Sequence, residues 1–143
     1  MSDATTTRLL NHLVAIHNRS LPVYLTYAAP AWHDGEEAAK ETMRLIAADQ
    51  RETAERLAAM IIENGATVNN GEFPIYYTGY HDLSFDFLLK EIIKEQKEDI
   101  VTIERIISKL SLVPLAKALA QETLGAAKGH LESLIELKQA AAS

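Results

Sequence analysis

The sequence predicts an all-α protein with a single domain over residues 1–143, and three observations support this. A chain of 143 residues has the length of one domain. Ala, Leu, Ile, Glu and Lys dominate, whereas only six Gly and four Pro occur, a composition that favours helices. Apolar residues also recur every three or four positions along four stretches, as they do in amphipathic helices.

The first helix is predicted over residues 3–31. Asp3 is a suitable N-cap, and the apolar stripe continues as far as Tyr27. Pro22 falls inside the stripe, where it removes a backbone donor and its ring clashes with the preceding turn. We therefore expect a kink near residues 17–21 within one continuous helix.

The second helix is predicted over residues 34–64. Asp34 and Glu37 have the spacing of a capping box, in which each side chain bonds the other residue's backbone N–H. Gly65 follows the last apolar residues and is a favourable residue just after a helix C-cap. The capping box and the glycine therefore mark the two ends of this helix.

The third and fourth helices are predicted over residues 84–110 and 114–140. Isoleucines and leucines at helical spacing mark the third helix. Pro114 begins the fourth, because a first-turn proline loses no helical hydrogen bond. Only residues 111–113 separate these two helices, so we expect them to be antiparallel neighbours.

Residues 65–83 form the one long connection, which lies between the second and third helices. At ~3.3 Å per residue this segment reaches ~60 Å, whereas a 30-residue helix is ~45 Å long. The connection can therefore cross the whole molecule, as in an up-down-down-up four-helix bundle with one long crossover. Its aromatic residues indicate that it packs on the bundle. The alternative is a flexible loop in a simple up-down bundle.

Charge and cysteine content exclude several functions. The formal net charge is −6, and no basic block is present, so we expect no nucleic-acid partner. The absence of Cys excludes disulfides, thiolate metal sites and a Cys nucleophile. Neither a transmembrane run nor a signal peptide is apparent, which predicts a cytoplasmic protein without a membrane partner.

Polar residues interrupt the apolar stripe of every predicted helix near its middle. Helical spacing points His17, Gln50, Gln96 and His130 inward, and Thr53 lies beside Gln50. Each of these residues alone is most simply a hydrogen-bonded core residue. Their similar depth on four helices predicts one shared polar cluster.

Segments on all four predicted helices resemble the ferritin-like superfamily, and bacterioferritins in particular. On the third helix the segment is residues 103–107, Ile-Glu-Arg-Ile-Ile, which follow the inward Gln96 at the expected distance. Residues 11–16, Asn-His-Leu-Val-Ala-Ile, are similar to an early helix segment of that family. Residues 50–57, Gln-Arg-Glu-Thr-Ala-Glu-Arg-Leu, resemble Glu-x-x-His-Ala-Asp-Arg-Leu, and residues 127–132, Ala-Lys-Gly-His-Leu-Glu, resemble Glu-Glu-Gly-His-Ile-Asp. The resemblance covers residues 5–138 and implies the four-helix fold.

The resemblance also implies where a di-iron centre would lie, namely on one Glu from each of two helices and a Glu-x-x-His pair from each of the others. These positions are occupied here by His17 (or His12 in another alignment), Gln50, Thr53, Gln96, Ala127 and His130. No carboxylate is left to offset the charge of two iron ions. We therefore expect neither a standard di-iron centre nor another cofactor.

The predicted function is that of a ferritin-like structural or binding module without catalysis. The alternative is a metal-binding protein for redox chemistry or iron handling that uses His17 and His130, with water, Glu95 or Asp99 as a third ligand. Any enzyme of this kind would be a metal-dependent oxidoreductase. A DNA-protecting shell is a third reading, which the acidic balance disfavours.

Two further expectations concern assembly and the loops. In ferritin-like proteins the crossover often lies at a two-fold interface, so the resemblance implies a homodimer or a higher homo-oligomer. His33 and His81 lie in loops expected at the same end of the bundle, where they could hold a surface metal ion. Exposed loop histidines are more often simply solvated.

Overall fold

The computed structural model describes residues 4–80, 82–110 and 112–142 and is all-helical, which confirms the predicted fold class. Its helices are α1 (Ala4–Asn18), α2 (Leu21–Tyr24), α3 (Glu37–Glu63), α4 (Phe85–Lys109) and α5 (Pro114–Ala142), with a 3-10 helix at Ile75–Tyr80. Among these residues the only extended pairing is a single bridge between Ala31 and Ser84. No described helix is long and apolar enough to cross a membrane. The predictions for Asp3 and His81 fall outside the described residues.

The predicted helix over residues 3–31 is interrupted rather than kinked. α1 ends at Asn18, and Ser20, in an extended conformation, caps the short helix α2. The Ser20 hydroxyl accepts a hydrogen bond from the Val23 N–H at 3.2 Å. Pro22 lies in the first turn of α2, where its missing N–H costs nothing. Proline therefore starts a new helix here, which ends at Tyr24 and is followed by a turn.

The start of α3 also differs from the prediction. The helix begins at Glu37, three residues later than expected, and its N-cap residue is Glu36, which makes no side-chain cap bond. The Glu36 carboxylate instead accepts a hydrogen bond from the backbone N–H of His33. Gly35 between them has φ +90°, so residues 33–36 form a turn before the helix instead of the expected capping box.

The long helices pack in two antiparallel pairs. α1 packs mainly on α3, and α4 mainly on α5, while α3 also contacts α5. Thr6 near the start of α1 lies by Met60 near the end of α3. Phe85 at the start of α4 lies by Leu137 near the end of α5. Opposite ends therefore meet in both pairs.

The connection between α3 and α4 follows the outside of α1. The Asn11 side-chain amide donates to the Thr67 carbonyl at 3.1 Å and accepts from the Asn69 N–H at 2.7 Å. Farther along, the Arg19 guanidinium donates to the Gly71 carbonyl at 3.0 Å. Side-chain to backbone bonds thus hold a segment that has little regular structure of its own.

Aromatic side chains hold the second half of this connection. The Phe73 and Tyr77 rings lie 5.1 and 5.3 Å from the Tyr24 ring. Such edge and tilted contacts between rings are favourable. Tyr77 is only 2% exposed, so this segment packs on the helices, as its aromatic content predicts.

Buried apolar residues form two separate clusters. The first cluster joins α1, the C-terminal halves of α3 and α4 and the N-terminal half of α5. Its buried members are Leu9, Leu10, Leu13, Val14, Ala54, Leu57, Ile61, Ile100, Ile103, Ile106, Leu110, Ala116, Leu119, Ala120 and Ala127. The second cluster lies toward the opposite ends of the helices. Its buried members are Leu21, Leu25, Met43, Ile46, Tyr77, Phe85, Leu88, Leu89, Ile92, Ile93 and Leu134.

Candidate functional site

The predicted inward polar residues lie at the boundary between the two apolar clusters. His17, Gln50, Gln96 and His130 each fall on a different long helix between members of the two clusters. The flanking pairs are Val14 and Leu21, Ile46 and Ala54, Ile93 and Ile100, and Ala127 and Leu134. One polar level therefore interrupts the apolar interior on every long helix.

Burial differs among the six positions. His17, Gln50, Gln96 and Ala127 are all at most 4% exposed, whereas Thr53 is only half-buried. The His130 side chain keeps 15% of its surface exposed. His12, the position chosen by the other alignment, is exposed on α1.

Gln50 is held by the residue that caps α2. The Ser20 hydroxyl donates a hydrogen bond to Oε1 of Gln50 at 2.6 Å, and both residues are buried. The same hydroxyl oxygen accepts the Val23 N–H, so Ser20 fills a donor and an acceptor role at once. The amide of Gln50 is thereby fixed by the start of a neighbouring helix.

Gln96 bonds the backbone at another of the six positions. Its Nε2 donates to the carbonyl oxygen of Ala127 at 2.9 Å across the contact between α4 and α5. In the ferritin-like pattern this part of α5 carries a Glu. Here the small Ala side chain lets the Gln96 amide approach the α5 backbone.

His130 contacts Asp49 and so joins α5 to α3. Its Nε2 lies 2.7 Å from Oδ2 of Asp49, whose side chain is 46% exposed. Both residues line an open cavity of about 420 Å³ between these helices. The pair is therefore reachable from solvent on this side of the molecule.

His17 is the group without a partner. Its Nε2 is the only fully buried side-chain nitrogen or oxygen among the described residues that lacks a hydrogen bond. Burial and, to a lesser extent, the nearby His130 lower the pKa of His17 to about 4, although Asp49 partly opposes both effects. His17 is therefore a neutral imidazole at neutral pH, and it lies within electrostatic range of the His130–Asp49 pair.

We call these residues, His17, Ser20, Asp49, Gln50, Gln96 and His130, the polar layer. Their contacts join α2 to α3, α3 to α5 and α4 to α5. Two amides, a hydroxyl and two imidazoles supply hydrogen-bond donors and acceptors. The only carboxylate of the polar layer belongs to Asp49, and it already contacts the His130 imidazole.

A di-iron centre does not fit this donor set. Two iron ions require several anionic oxygen ligands, and the six expected positions hold none. Gln50 and Gln96 already bond protein atoms. No group of three or more His, Asp or Glu within the described ranges could hold a metal ion.

The two carboxylates considered as a third metal ligand face elsewhere. Glu95 accepts hydrogen bonds from the hydroxyls of Tyr76 and Tyr77 in the crossover. With Asp99 and His12 it lines a cavity of about 330 Å³ between α1, α4 and the crossover. Neither carboxylate belongs to the polar layer.

Asp99 has an unusual environment within that cavity. Burial, followed by the negative charges of Glu95 and Glu98, raises the pKa of its carboxyl to about 7. The Tyr77 hydroxyl donates a hydrogen bond to Glu95 and so fixes the position of one carboxylate of this acidic cluster. The sequence suggested Glu95 and Asp99 only as a third metal ligand beside His17 and His130.

Sequence reasoning missed Ser20 and Asp49. A signal existed for Ser20, because Ser-Leu-Pro at residues 20–22 combines a preferred N-cap residue with a proline in the first helical turn. Asp49 gave no such signal, since its partner His130 lies on a different helix. The loop candidate His33 is exposed, and its backbone bonds Glu36.

No protein-family model matches this sequence, and a search of curated proteins finds no significant match. The ferritin-like resemblance therefore rests on the residues quoted above.

Proposed function

We propose that this protein is a ferritin-like structural or binding module without catalysis, in which the polar layer takes the place of the di-iron centre. One observation carries the proposal. Neutral side chains that bond one another or the backbone lie at the expected ligand level, between two apolar clusters. A network of this kind stabilises itself without a metal ion.

The arrangement of the helices supports the same proposal. α1 with α3, and α4 with α5, form antiparallel pairs, and the connecting segment follows α1 from one end toward the other. An up-down-down-up bundle with one long crossover has these features. We further propose that the protein is a homodimer, as the resemblance implies, and that it is cytoplasmic, as the sequence predicts.

A single-metal protein is the second candidate, because the Nε2 of His17 is buried without a partner. An unpaired buried nitrogen costs ~1–3 kcal/mol, and a metal ion or a water molecule would satisfy it. His130 lies nearby, but its Nε2 already bonds Asp49. Two imidazoles without a carboxylate make a weak site, so we rank this candidate second.

Metal loading tests both candidates. The protein is freed of metal with a chelator, incubated without oxygen with excess Fe(II), Zn(II) or Co(II), desalted and analysed by mass spectrometry for metals. We expect each metal to stay well below one equivalent per chain. We also expect oxygen to oxidise Fe(II) no faster with the protein than in buffer alone.

The variants His17→Leu and His33→Leu separate the outcomes, since His33 is an exposed loop histidine. Two irons per chain with accelerated oxidation would overturn the proposal of a module without catalysis. One Zn(II) or Co(II) per chain that is lost in His17→Leu but kept in His33→Leu would establish the single-metal candidate. Circular dichroism confirms that both variants are folded.

A further inference from the structure

A second concave feature lies away from the polar layer, where α2, the following loop and the start of α3 meet. This cleft has a volume of about 290 Å³. Pro22, Leu25, Trp32 and Met43 give it apolar walls. Its volume lies near the lower end of the ~300–1,000 Å³ that small-molecule sites occupy, so its occupant would be small.

The walls of the cleft are fixed in place. The Trp32 ring stacks on Phe85 with centroids 4.6 Å apart. The neighbouring Ala31 N–H donates to the Leu83 carbonyl at 2.8 Å, which ties this loop to the segment before α4. Leu25 and Met43 are less than 10% exposed. A ligand would therefore enter a preformed cleft and lose little free energy to ordering it.

The rim of the cleft is cationic, although the chain carries a net charge of −6. Arg44 on the rim is paired with Glu41, and the Arg44 Nε lies 3.0 Å from the Glu41 Oε2. Lys40 lies on the rim with its Nζ 5.6 Å from the Trp32 ring centroid. It forms no ion pair within the part of the chain that the structure describes.

We propose that this cleft binds a small apolar carboxylate, with its hydrocarbon part against Trp32, Leu25 and Met43 and its carboxylate on the Lys40 ammonium. Charge complementarity selects the anion, because Lys40 is the rim cation without a carboxylate partner. The apolar walls select a hydrocarbon body over a small inorganic anion. The proposal does not depend on the polar layer, so either proposal can fail without the other.

Tryptophan fluorescence and calorimetry test the proposal on the full chain. Trp32 is the only Trp, so its emission reports directly on the cleft, and isothermal titration calorimetry measures affinity independently. The probes are octanoate below its micelle concentration, 1-octanol as a neutral match and octylammonium as a match of opposite charge. We expect saturable binding of octanoate, at least about threefold tighter than octanol, and the weakest binding for octylammonium.

The variant Lys40→Met keeps a long apolar side chain and removes the charge. We expect it to abolish the preference for octanoate over octanol while leaving octanol affinity unchanged. Lys109→Met, at the exposed C-terminal end of α4, is the matched control and should keep the preference. The proposal is overturned by unsaturable binding, by equal affinity for octanoate and octanol, or by an unchanged preference in Lys40→Met.

Discussion

His17 is a buried titratable group whose charged form is disfavoured by burial and by His130 more than Asp49 stabilises it. Its pKa falls to about 4, chiefly because burial removes water from the imidazolium and in smaller part because His130 lies nearby. The unfolded chain binds a proton near pH 6.5. Between pH 6.5 and 4 the unfolded state therefore takes up a proton that the folded state refuses, and the folded state loses stability.

Replacing His17 with Leu should remove this acid sensitivity. The wild-type free energy of unfolding should fall by about 3 kcal/mol more than that of His17→Leu between pH 7 and pH 4. Urea unfolding followed by circular dichroism at several pH values measures the difference. His12→Leu, exposed on the same helix, should behave like the wild type; parallel pH curves for the wild type and His17→Leu would contradict the assignment.

Asp99 lowers the stability of the folded state at high pH, whereas His17 does so at low pH. Burial first, and then Glu95 and Glu98, raise the pKa of its carboxyl to about 7. Below its ordinary pKa of 3.8 the carboxyl is protonated in both states and costs nothing. As the pH rises toward 7, the unfolded chain releases a proton that the folded chain retains, so the folded state becomes less stable.

Asp99→Asn should therefore stabilise the protein at neutral and alkaline pH but not at acidic pH. We expect a gain of about 2–4 kcal/mol in the free energy of unfolding at pH 8 and almost none at pH 4. Thermal unfolding at the two pH values measures the gain. Glu52→Gln, at an exposed position of α3, serves as the control, and a gain that is equal at both pH values would argue against the raised pKa.

The sequence predicted which residues of the site face inward but not which groups they bond. Helical spacing correctly pointed Gln50 and Gln96 inward, because the side of a helix that a residue occupies follows from its position alone. Their partners could not be predicted in this way. The Ser20 hydroxyl and the Ala127 carbonyl reach them from other helices, and only the packing of those helices brings the atoms together.

At the scale of elements, the break between α1 and α2 is where the apolar pattern of the sequence gives the wrong helix boundaries. The apolar stripe runs past Pro22 without interruption, and so it predicts one helix. The backbone instead ends α1 and restarts at Ser20, whose hydroxyl bonds both the Val23 N–H and Gln50. A side chain that caps one helix and also bonds another cannot be inferred from periodicity.

Ser20→Ala should destabilise the protein more than the loss of an ordinary cap. We expect a cost of about 2–3 kcal/mol, because both the cap and the buried bond to Gln50 are lost and Oε1 is left unpaired. Ser84→Ala is the matched control, since Ser84 caps α4 through Phe87 N–H at 3.4 Å and makes no buried bond to another helix.

The control should cost only about 0.5–1 kcal/mol. Chemical unfolding of both variants gives the comparison. Equal losses in the two variants would show that the hydrogen bond from Ser20 to Gln50 contributes nothing to stability.

At the scale of the whole molecule, the crossover presents apolar side chains to solvent. Ile75 is 86% exposed and Tyr76 54% exposed, and both belong to the 3-10 helix of this segment. The homodimer that we propose would bury this surface. Leu112, 92% exposed in the connection between α4 and α5, offers a comparison away from the crossover.

Sedimentation velocity should therefore give twice the mass of one chain. Ile75→Glu should shift the protein to the mass of a monomer, because it places a charge in the proposed interface, whereas Leu112→Glu should leave the mass unchanged. A monomeric wild type, or dissociation in Leu112→Glu alone, would refute an interface at the crossover.

The polar layer between the two apolar clusters also restricts how the helices can slide along one another. A shift by one turn, ~5.4 Å, would move Gln50 or Gln96 among leucines and isoleucines and leave its amide unsatisfied. The polar layer thus fixes the axial register of the helices, because only one alignment satisfies its hydrogen bonds. We expect the triple variant His17→Leu, Gln50→Leu, Gln96→Leu to melt at a higher temperature yet give duplicated amide signals in its NMR spectrum, because several alignments become nearly equal in energy. A single sharp set of signals would show that the apolar clusters alone set the alignment.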